Sequence, residues 1–250
     1  MIDGSVPRTA LVTGCSGDIG AAVCRRIDDA GYTVVGWDVV PPRADLPLSS
    51  YQPVDLTAAE VPETALHDLA AAGALQYVVH VVGGSDVEEL RQTDLARVPA
   101  GVFERTVALN LFSAHTVIRA TVDLLRATDG DRSYTLTSST NAFGGYGAPG
   151  YSAAKAGLHG LVAALAGPLA RDRIRINAVA LGTTRTANYV RLGRLMGRET
   201  DFDSIGSRTP RGSVLSPDEA AAALTAVAIA NPALSGEVVV ADAGQHLARR

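Results

Sequence analysis

The sequence predicts one α/β domain built on a doubly wound parallel sheet, and three observations carry that expectation. Apolar runs of strand length alternate with longer helical stretches along all 250 residues. Those runs are continuously apolar, as strands covered on both faces are. No linker, repeat or low-complexity tract divides residues 1–250, which read as a single domain. A chain of this length can bury roughly 70–75% of its unfolded surface. With 47% apolar, 19% charged and 5% aromatic residues the core is aliphatic, and disorder is excluded for the chain as a whole.

Taken in order, strands are expected at residues 9–13, 32–37, 75–82, 134–137, 174–180 and 237–240. Gly31 and Gly73 fall between a helical pattern and a strand, where a helix C-terminal cap sits. Ser216, Pro217 and Glu219 form the clearest helix start, and that helix should run to about Asn231. Pro168 should kink or end early the helix in which it falls. Two stretches break the rhythm, residues 141–150 and residues 183–211, and long irregular connections of this kind are binding loops or mobile surface loops.

Twenty-two Lys and Arg against 26 Asp and Glu give a net charge of −4, the wrong sign for nonspecific nucleic-acid binding. A small ligand fits better. No run reaches the ~18–20 apolar residues of a membrane span; the longest candidate, residues 220–230, reads as a buried helix, and residues 1–8 lack the apolar run of a signal peptide. The only cysteines, Cys15 and Cys24, have neither a ligand spacing nor a CxxC pair, so no disulfide framework or metal site is expected and a reducing, cytoplasmic setting is.

Chemistry begins after the first strand. Thr13-Gly14-Cys15-Ser16-Gly17-Asp18-Ile19-Gly20 leads directly into a helical pattern. Glycines there let the backbone turn sharply and approach a pyrophosphate, with the N–H groups and positive dipole of the helix start facing the phosphates. The second strand ends at Asp38, 18 residues beyond Gly20, the spacing at which a carboxylate accepts both hydroxyls of an adenosine ribose. A 2′-phosphate would face a like charge there, and no Arg or Lys lies in the glycine loop or beside Asp38. NAD is therefore expected over NADP by about tenfold or more. Asp55, followed by Leu56, has the position of an adenine partner and equally of a helix cap.

Tyr151-Ser152-Ala153-Ala154-Lys155 puts a phenol and an ammonium four residues apart on one helix face. A fixed cation within about 4–6 Å stabilises phenolate and would bring the tyrosine into the range of general acid/base work. Ser138 and Ser139 are adjacent candidates for a substrate-binding hydroxyl. Strand phase selects Ser138, because Tyr134 and Leu136 as inward positions project Ser138 to their side and Ser139 to the other; a bulge or a shortened loop would reverse the choice.

From Thr13 to Gly244 the chain resembles the short-chain dehydrogenase/reductase family. The resemblance implies a Rossmann-like single domain that transfers hydride between a nicotinamide dinucleotide and an alcohol or ketone. It implies an Asn-Ser-Tyr-Lys tetrad: Tyr151 as acid/base, Lys155 on the nicotinamide ribose, Asn110 supporting a relay water, and Ser138, 13 residues before the tyrosine as in the family. It further implies Val82 and Gly83 beside the cofactor, Gly182 in the turn after the sixth strand, Thr186 on the nicotinamide carboxamide, and a homotetramer built on the helices that carry Asn110 and Tyr151, where Ala156, Gly157, Gly160 and Ala164 allow close approach or serve packing within one subunit.

The chain departs from the family pattern at Asp18, which replaces a glycine and should point to solvent or cap its helix. His80-Val81-Val82-Gly83 stands for Asn-Asn-Ala-Gly, with His80 read as structural; Leu181 stands for a proline and Ala243 for a glycine. Arg191, Arg194 and Arg198, with Arg185 nearby, follow an i, i+3, i+7 pattern that is either a solvated face or a site for an anionic substrate. The function expected is an NAD-dependent oxidoreductase for a small or cyclic secondary alcohol or ketone, with no nucleic acid or membrane partner. The alternatives are a reductase of carrier-bound 3-oxoacyl chains, which would generally use NADPH, and a dinucleotide-binding protein without turnover.

Overall fold

A computed structural model describes residues 6–144 and 147–247. Seven strands, β1 (Arg8–Thr13), β2 (Thr33–Asp38), β3 (Ser50–Pro53), β4 (Ala74–His80), β5 (Arg132–Ser139), β6 (Ile174–Leu181) and β7 (Val238–Ala241), form one sheet in the order β3-β2-β1-β4-β5-β6-β7. Every neighbouring pair is parallel. Strand order reverses between β1 and β4, and ligands of such sheets bind in the crevice outside the strand ends at that point. The helices are α1 (Asp18–Asp29), α2 (Glu63–Ala71), α3 (Val87–Leu90), α4 (Ala100–Val107), α5 (Ser113–Arg126), α6 (Asn141–Gly144), α7 (Pro149–Arg171), α8 (Ala187–Leu195), α9 (Phe202–Gly206) and α10 (Pro217–Thr225). The fold is Rossmann-like.

Alternate residues of the same strands feed two cores. Leu11, Val35, Trp37, Val78, Tyr134, Leu136 and Ile176 face the side covered by α2, α5 and α7, while Ala10, Val12, Val34, Val79 and Val179 face α1 and α10. Cys15 and Cys24 are free and buried in the second core. Burial pushes the Cys15 thiol up to about 11 and raises Cys24 further, so neither is a nucleophile at neutral pH.

The helix ends follow the sequence signals. Gly31 (φ +81°) closes α1: its N–H donates to the Asp28 carbonyl and the Tyr32 N–H to the Ile27 carbonyl, a Schellman pair. At the start of α10 the Ser216 hydroxyl accepts the Glu219 N–H at 3.1 Å while Glu219 accepts the Ser216 N–H at 2.8 Å, and the helix continues as a π turn, Ala226–Ala230, up to Asn231. Two expectations are corrected. Strand β3 lies where none was expected: it is four residues long, edges the sheet and ends in Pro53, so it has no run buried on both faces. Helix α7 passes through Pro168 to Arg171 without ending early. Pro168 sits in the last turn, where only one backbone bond is forfeited. Helix α7, rather than residues 220–230, is also the described helix that is long and apolar enough to cross a membrane by length and composition; it lies on β5 and β6 with Lys155 buried beneath it.

Candidate active site

At the switch point, Gly14 (φ +72°) turns the chain out of β1 and its N–H donates to the Trp37 carbonyl at 2.8 Å, tying the ends of β1 and β2 together. A Cβ on Gly14 would lie 2.9 Å from the Val82 backbone nitrogen, and one on Gly20 would lie 2.0 Å from the Gly14 carbonyl oxygen. The loop closes this tightly only with glycine. Gly17 begins α1 with no side-chain cap, so the first-turn amides keep their donors for an anion. Asp38 completes the cradle: one carboxylate oxygen accepts the Ser16 N–H and the other the Val40 N–H, each at 3.0 Å, and each keeps a lone pair for a ribose hydroxyl. The Ser16 hydroxyl donates to the Val40 carbonyl. A cradle with no room for a Cβ, an uncapped helix start and a carboxylate at the end of β2 together fit a dinucleotide.

Asp55 does not cap a helix: α2 begins only at Glu63, and the carboxylate instead accepts the Thr57 N–H at 2.8 Å and its hydroxyl at 2.6 Å in a local turn. The Leu56 side chain is packed in the core. Val82 packs partly against the core, and Gly83 and Ile19 line a cavity of about 240 Å³ bounded by the turn after β4, the ends of β5 and β6, α7 and α8.

That cavity contains the phenol of Tyr151 and the ammonium of Lys155. Both stand on α7, with Lys155 Nζ 5.7 Å from the centre of the Tyr151 ring. Lys155 is buried and donates to the Thr137 carbonyl at 2.7 Å; burial pushes it down to about 7. Burial raises the Tyr151 phenol, and a hydrogen bond with the Ser139 hydroxyl opposes that rise. The surroundings that bury both groups disfavour charge on either.

The two candidate serines are held differently. Ser138 points beneath α7, where its hydroxyl meets His159 Nε2 at 2.8 Å and donates to the Lys155 carbonyl at 3.2 Å. Ser139, the last residue of β5, lines the cavity with Tyr151, acts to lower the phenol, and accepts the Asn141 N–H at 3.2 Å. Ser138 shares a side with Tyr134 and Leu136, the side covered by α7, and it lines the cavity next to Ser139 while its hydroxyl is engaged beneath the helix. The serine–tyrosine spacing is 12, one shorter than expected. Gly145 and Tyr146, in the glycine-rich loop between them, lie outside the described residues.

Asn110 stands in a π turn, Ala108–Phe112, between α4 and α5. Its side chain accepts the Gly84 N–H at 2.9 Å and donates to the Gly84 and Thr106 carbonyls, each at 2.8 Å. It thereby pins the turn after β4 over the site, and a Cβ on Gly83 would meet Asn110 Oδ1 at 2.7 Å and Lys155 Nζ at 2.8 Å. His80 is structural, as expected. Its Nδ1 lies 2.8 Å from the Thr13 hydroxyl and its Nε2 3.2 Å from the Ser113 hydroxyl, and burial pushes it down to about 3. One contributor gave no signal in the sequence. Glu89, on α3 and fully buried, accepts the Gly150 N–H in the first turn of α7, one residue before Tyr151, and Gly150 leaves the room for that carboxylate.

A family model described as enoyl-(acyl carrier protein) reductase matches residues 14–246. The chain belongs to the short-chain dehydrogenase/reductase family. It is 28% identical to an acetoacetyl-CoA reductase of Acinetobacter sp. over 97% of this chain and 99% of that protein. It is 28% identical to a cis-4-hydroxycyclohexanecarboxylate dehydrogenase of Sinomonas cyclohexanicum over 95% and 96%. The solved structure of a short-chain dehydrogenase/reductase family oxidoreductase from Burkholderia thailandensis superposes with a TM-score of 0.80 at 28% identity, covering 96% of this chain and 92% of that one.

The irregular stretch over residues 183–211, here called the lid, lines the cavity in part and carries two helices, α8 and α9. Thr186 begins α8, its hydroxyl accepting the Tyr189 N–H at 3.2 Å, and it lines the cavity with Asn188, Tyr189 and Leu192. Asp18 neither points to solvent nor caps α1: its carboxylate accepts the Ala187 N–H at 2.6 Å, at the start of α8. Arg191 and Arg194 share a face of α8, but Arg198 does not join them. Helix α8 stops at Leu195, and Gly197 (φ +68°) reverses the chain before Arg198. Arg191 holds the Asn188 side chain at 2.9 Å and Arg185 pairs with Asp203 at 3.0 Å. Among the described residues that line the cavity, Lys155 is the only Lys, Arg, Asp or Glu. On the far side, Gly182 lies against Asp242, whose Cβ would be 2.6 Å from a Cβ at Gly182, and Ala243 takes the left-handed conformation (φ +58°) that glycine would adopt freely.

Proposed function

We propose that the protein is an NAD-dependent oxidoreductase that moves a hydride between nicotinamide and a secondary alcohol or ketone of a small or cyclic, uncharged substrate. The observation that carries the reading is the phenol of Tyr151, which shares a cavity with Ser139 and lies close to Lys155, where that cavity adjoins the glycine cradle. Bound there, the nicotinamide supplies or accepts the hydride. Gly14, Ser16, Gly17, Ile19 and Gly20 would hold the pyrophosphate, Asp38 the adenosine ribose, and Val82, Gly83, Gly182 and Thr186 the nicotinamide half.

Tyr151 takes the proton from the substrate oxygen in oxidation and returns it in reduction, and Ser139 hydrogen-bonds the same oxygen as negative charge develops on it. Lys155 in its ammonium form favours the phenolate that oxidation requires, and burial keeps its proton easily lost. Asn110 fixes the turn after β4, which forms part of the cavity wall. A cavity lining without an arginine or a carboxylate supports a neutral substrate. The exposed Ala156, Gly160 and Ala164 on α7 and the half-exposed Phe112 beside it support a homotetramer, whereas Gly157 packs internally on Leu111. The free cysteines support a cytoplasmic setting.

The similarity to acetoacetyl-CoA reductase favours a second reading, reduction of 3-oxoacyl thioesters. A screen at 340 nm separates them: NAD and NADP with secondary and cyclic alcohols in one arm, NADH and NADPH with acetoacetyl-CoA in the other. An NAD-dependent alcohol oxidoreductase turns over NAD with a neutral alcohol. Turnover confined to NADPH and the thioester would replace that reading, and dinucleotide binding with no turnover in either arm would leave a binding protein.

A further inference from the structure

Asp18 occupies the first position of α1, inside the glycine cradle, yet its carboxylate is bonded to a residue 169 positions away, the Ala187 N–H, at 2.6 Å. Helix α8 has nine residues, and its first turn is capped from two sources: Thr186 holds the Tyr189 N–H locally, and Asp18 holds the Ala187 N–H across the crevice. The residues that follow at once, Asn188, Tyr189 and Leu192, form the outer wall of the cavity over Tyr151. Arg91 supports the other end of α8 by donating to the Leu195 carbonyl at 2.6 Å. Glycine at position 18 would leave the near end of the lid without its anchor in the cradle.

The geometry points to Asp18 as a positioning residue that latches the lid helix to the dinucleotide cradle and so sets the substrate wall. The latch has a second consequence, which rests on the proposed binding of a dinucleotide. A carboxylate drawn to the positive start of α8 is drawn away from the phosphates expected at the start of α1. Lid closure and dinucleotide binding therefore favour one another, and the coupling is reciprocal.

The test compares Asp18→Ala, which removes the acceptor, with Asp18→Asn, which keeps one. The first readout needs no substrate: trypsin cleavage at the exposed lid arginines Arg191, Arg194 and Arg198 in the ligand-free protein. Cleavage is expected to be at least fivefold faster in Asp18→Ala and within twofold of the parent in Asp18→Asn. The second readout is NAD affinity, followed by the fluorescence of Trp37, the single tryptophan, beside Asp38. It should stay within threefold or tighten in Asp18→Ala, while the KM of whichever alcohol the screen identifies rises fivefold or more. Parental cleavage rates in Asp18→Ala, equal rates in the two variants, or parallel weakening of NAD and substrate would overturn the latch. Should the parent fail to bind NAD, the dinucleotide reading falls, while the protease arm still decides the latch.

Discussion

The cradle and the lid face each other across one crevice but are built by opposite means. In the cradle, Gly14 and Gly20 are defined by what cannot be there: a single methyl at either would enter neighbouring backbone. In the lid, Gly197 also has a positive φ, yet nothing lies within 4 Å of where its Cβ would be, and position is set by side-chain partners, Asp18 on Ala187 and Arg185 on Asp203. A structure made of local backbone constraint is written in a short motif. One made of distant side-chain pairs is not.

The two glycines give the largest expected difference. Gly20→Ala should weaken NAD binding more than a hundredfold and destabilise the fold by about 1–3 kcal/mol, as overpacking does. Gly197→Ala should cost about 1 kcal/mol of backbone strain and leave NAD affinity within twofold. Equal losses of affinity at the two positions would remove the distinction. Binding by Trp37 fluorescence and thermal midpoints measure both.

A smaller difference is expected within the serine pair, where strand phase and geometry disagree. Ser139→Ala should lower kcat/KM about a hundredfold or more, in the range of losing one oxyanion donor. Ser138→Ala, by contrast, should lose less than about fivefold, because its hydroxyl serves His159 and the Lys155 carbonyl. The reverse ranking would return the role to Ser138.

Beneath the site, His80 makes stability depend on pH. Held down to about 3 in the fold against an ordinary 6.5, it takes no proton over a range in which the unfolded chain does. Its contribution to stability is thus complete above pH 6.5 and is lost as pH falls toward 3, at up to about 1.4 kcal/mol per pH unit. His80→Asn should flatten that acid limb in urea melts run between about pH 7.5 and 5, either side of the ordinary histidine range; an unchanged limb would exclude His80 as its source. The smallest effect is expected at Ala243, where φ of +58° suits glycine. Ala243→Gly should stabilise by about 0.5–1 kcal/mol, a few degrees in Tm.

Much of the fold was legible because strands buried on both faces are long apolar runs, and because Gly31 and the Ser216–Glu219 box act through neighbours in sequence. Strand β3 was not, since an edge strand of four residues ending in Pro53 needs no such run. The cradle, Tyr151, Lys155 and Asn110 stood in motifs whose spacing is their geometry. The different partners of Ser138 and Ser139 did not, because alternation cannot distinguish the two faces of a strand buried on both. Glu89 and the partner of Asp18 were out of reach for the same reason: each carboxylate acts on a backbone N–H that lies 61 or 169 residues away.

The most direct test of proton transfer at Tyr151 is Tyr151→Phe, assayed at 340 nm with NAD and the preferred alcohol while NAD binding is followed through Trp37. The account predicts a loss of kcat of at least about a hundredfold with NAD affinity within threefold of the parent. A variant that turned over as fast as the parent would contradict it.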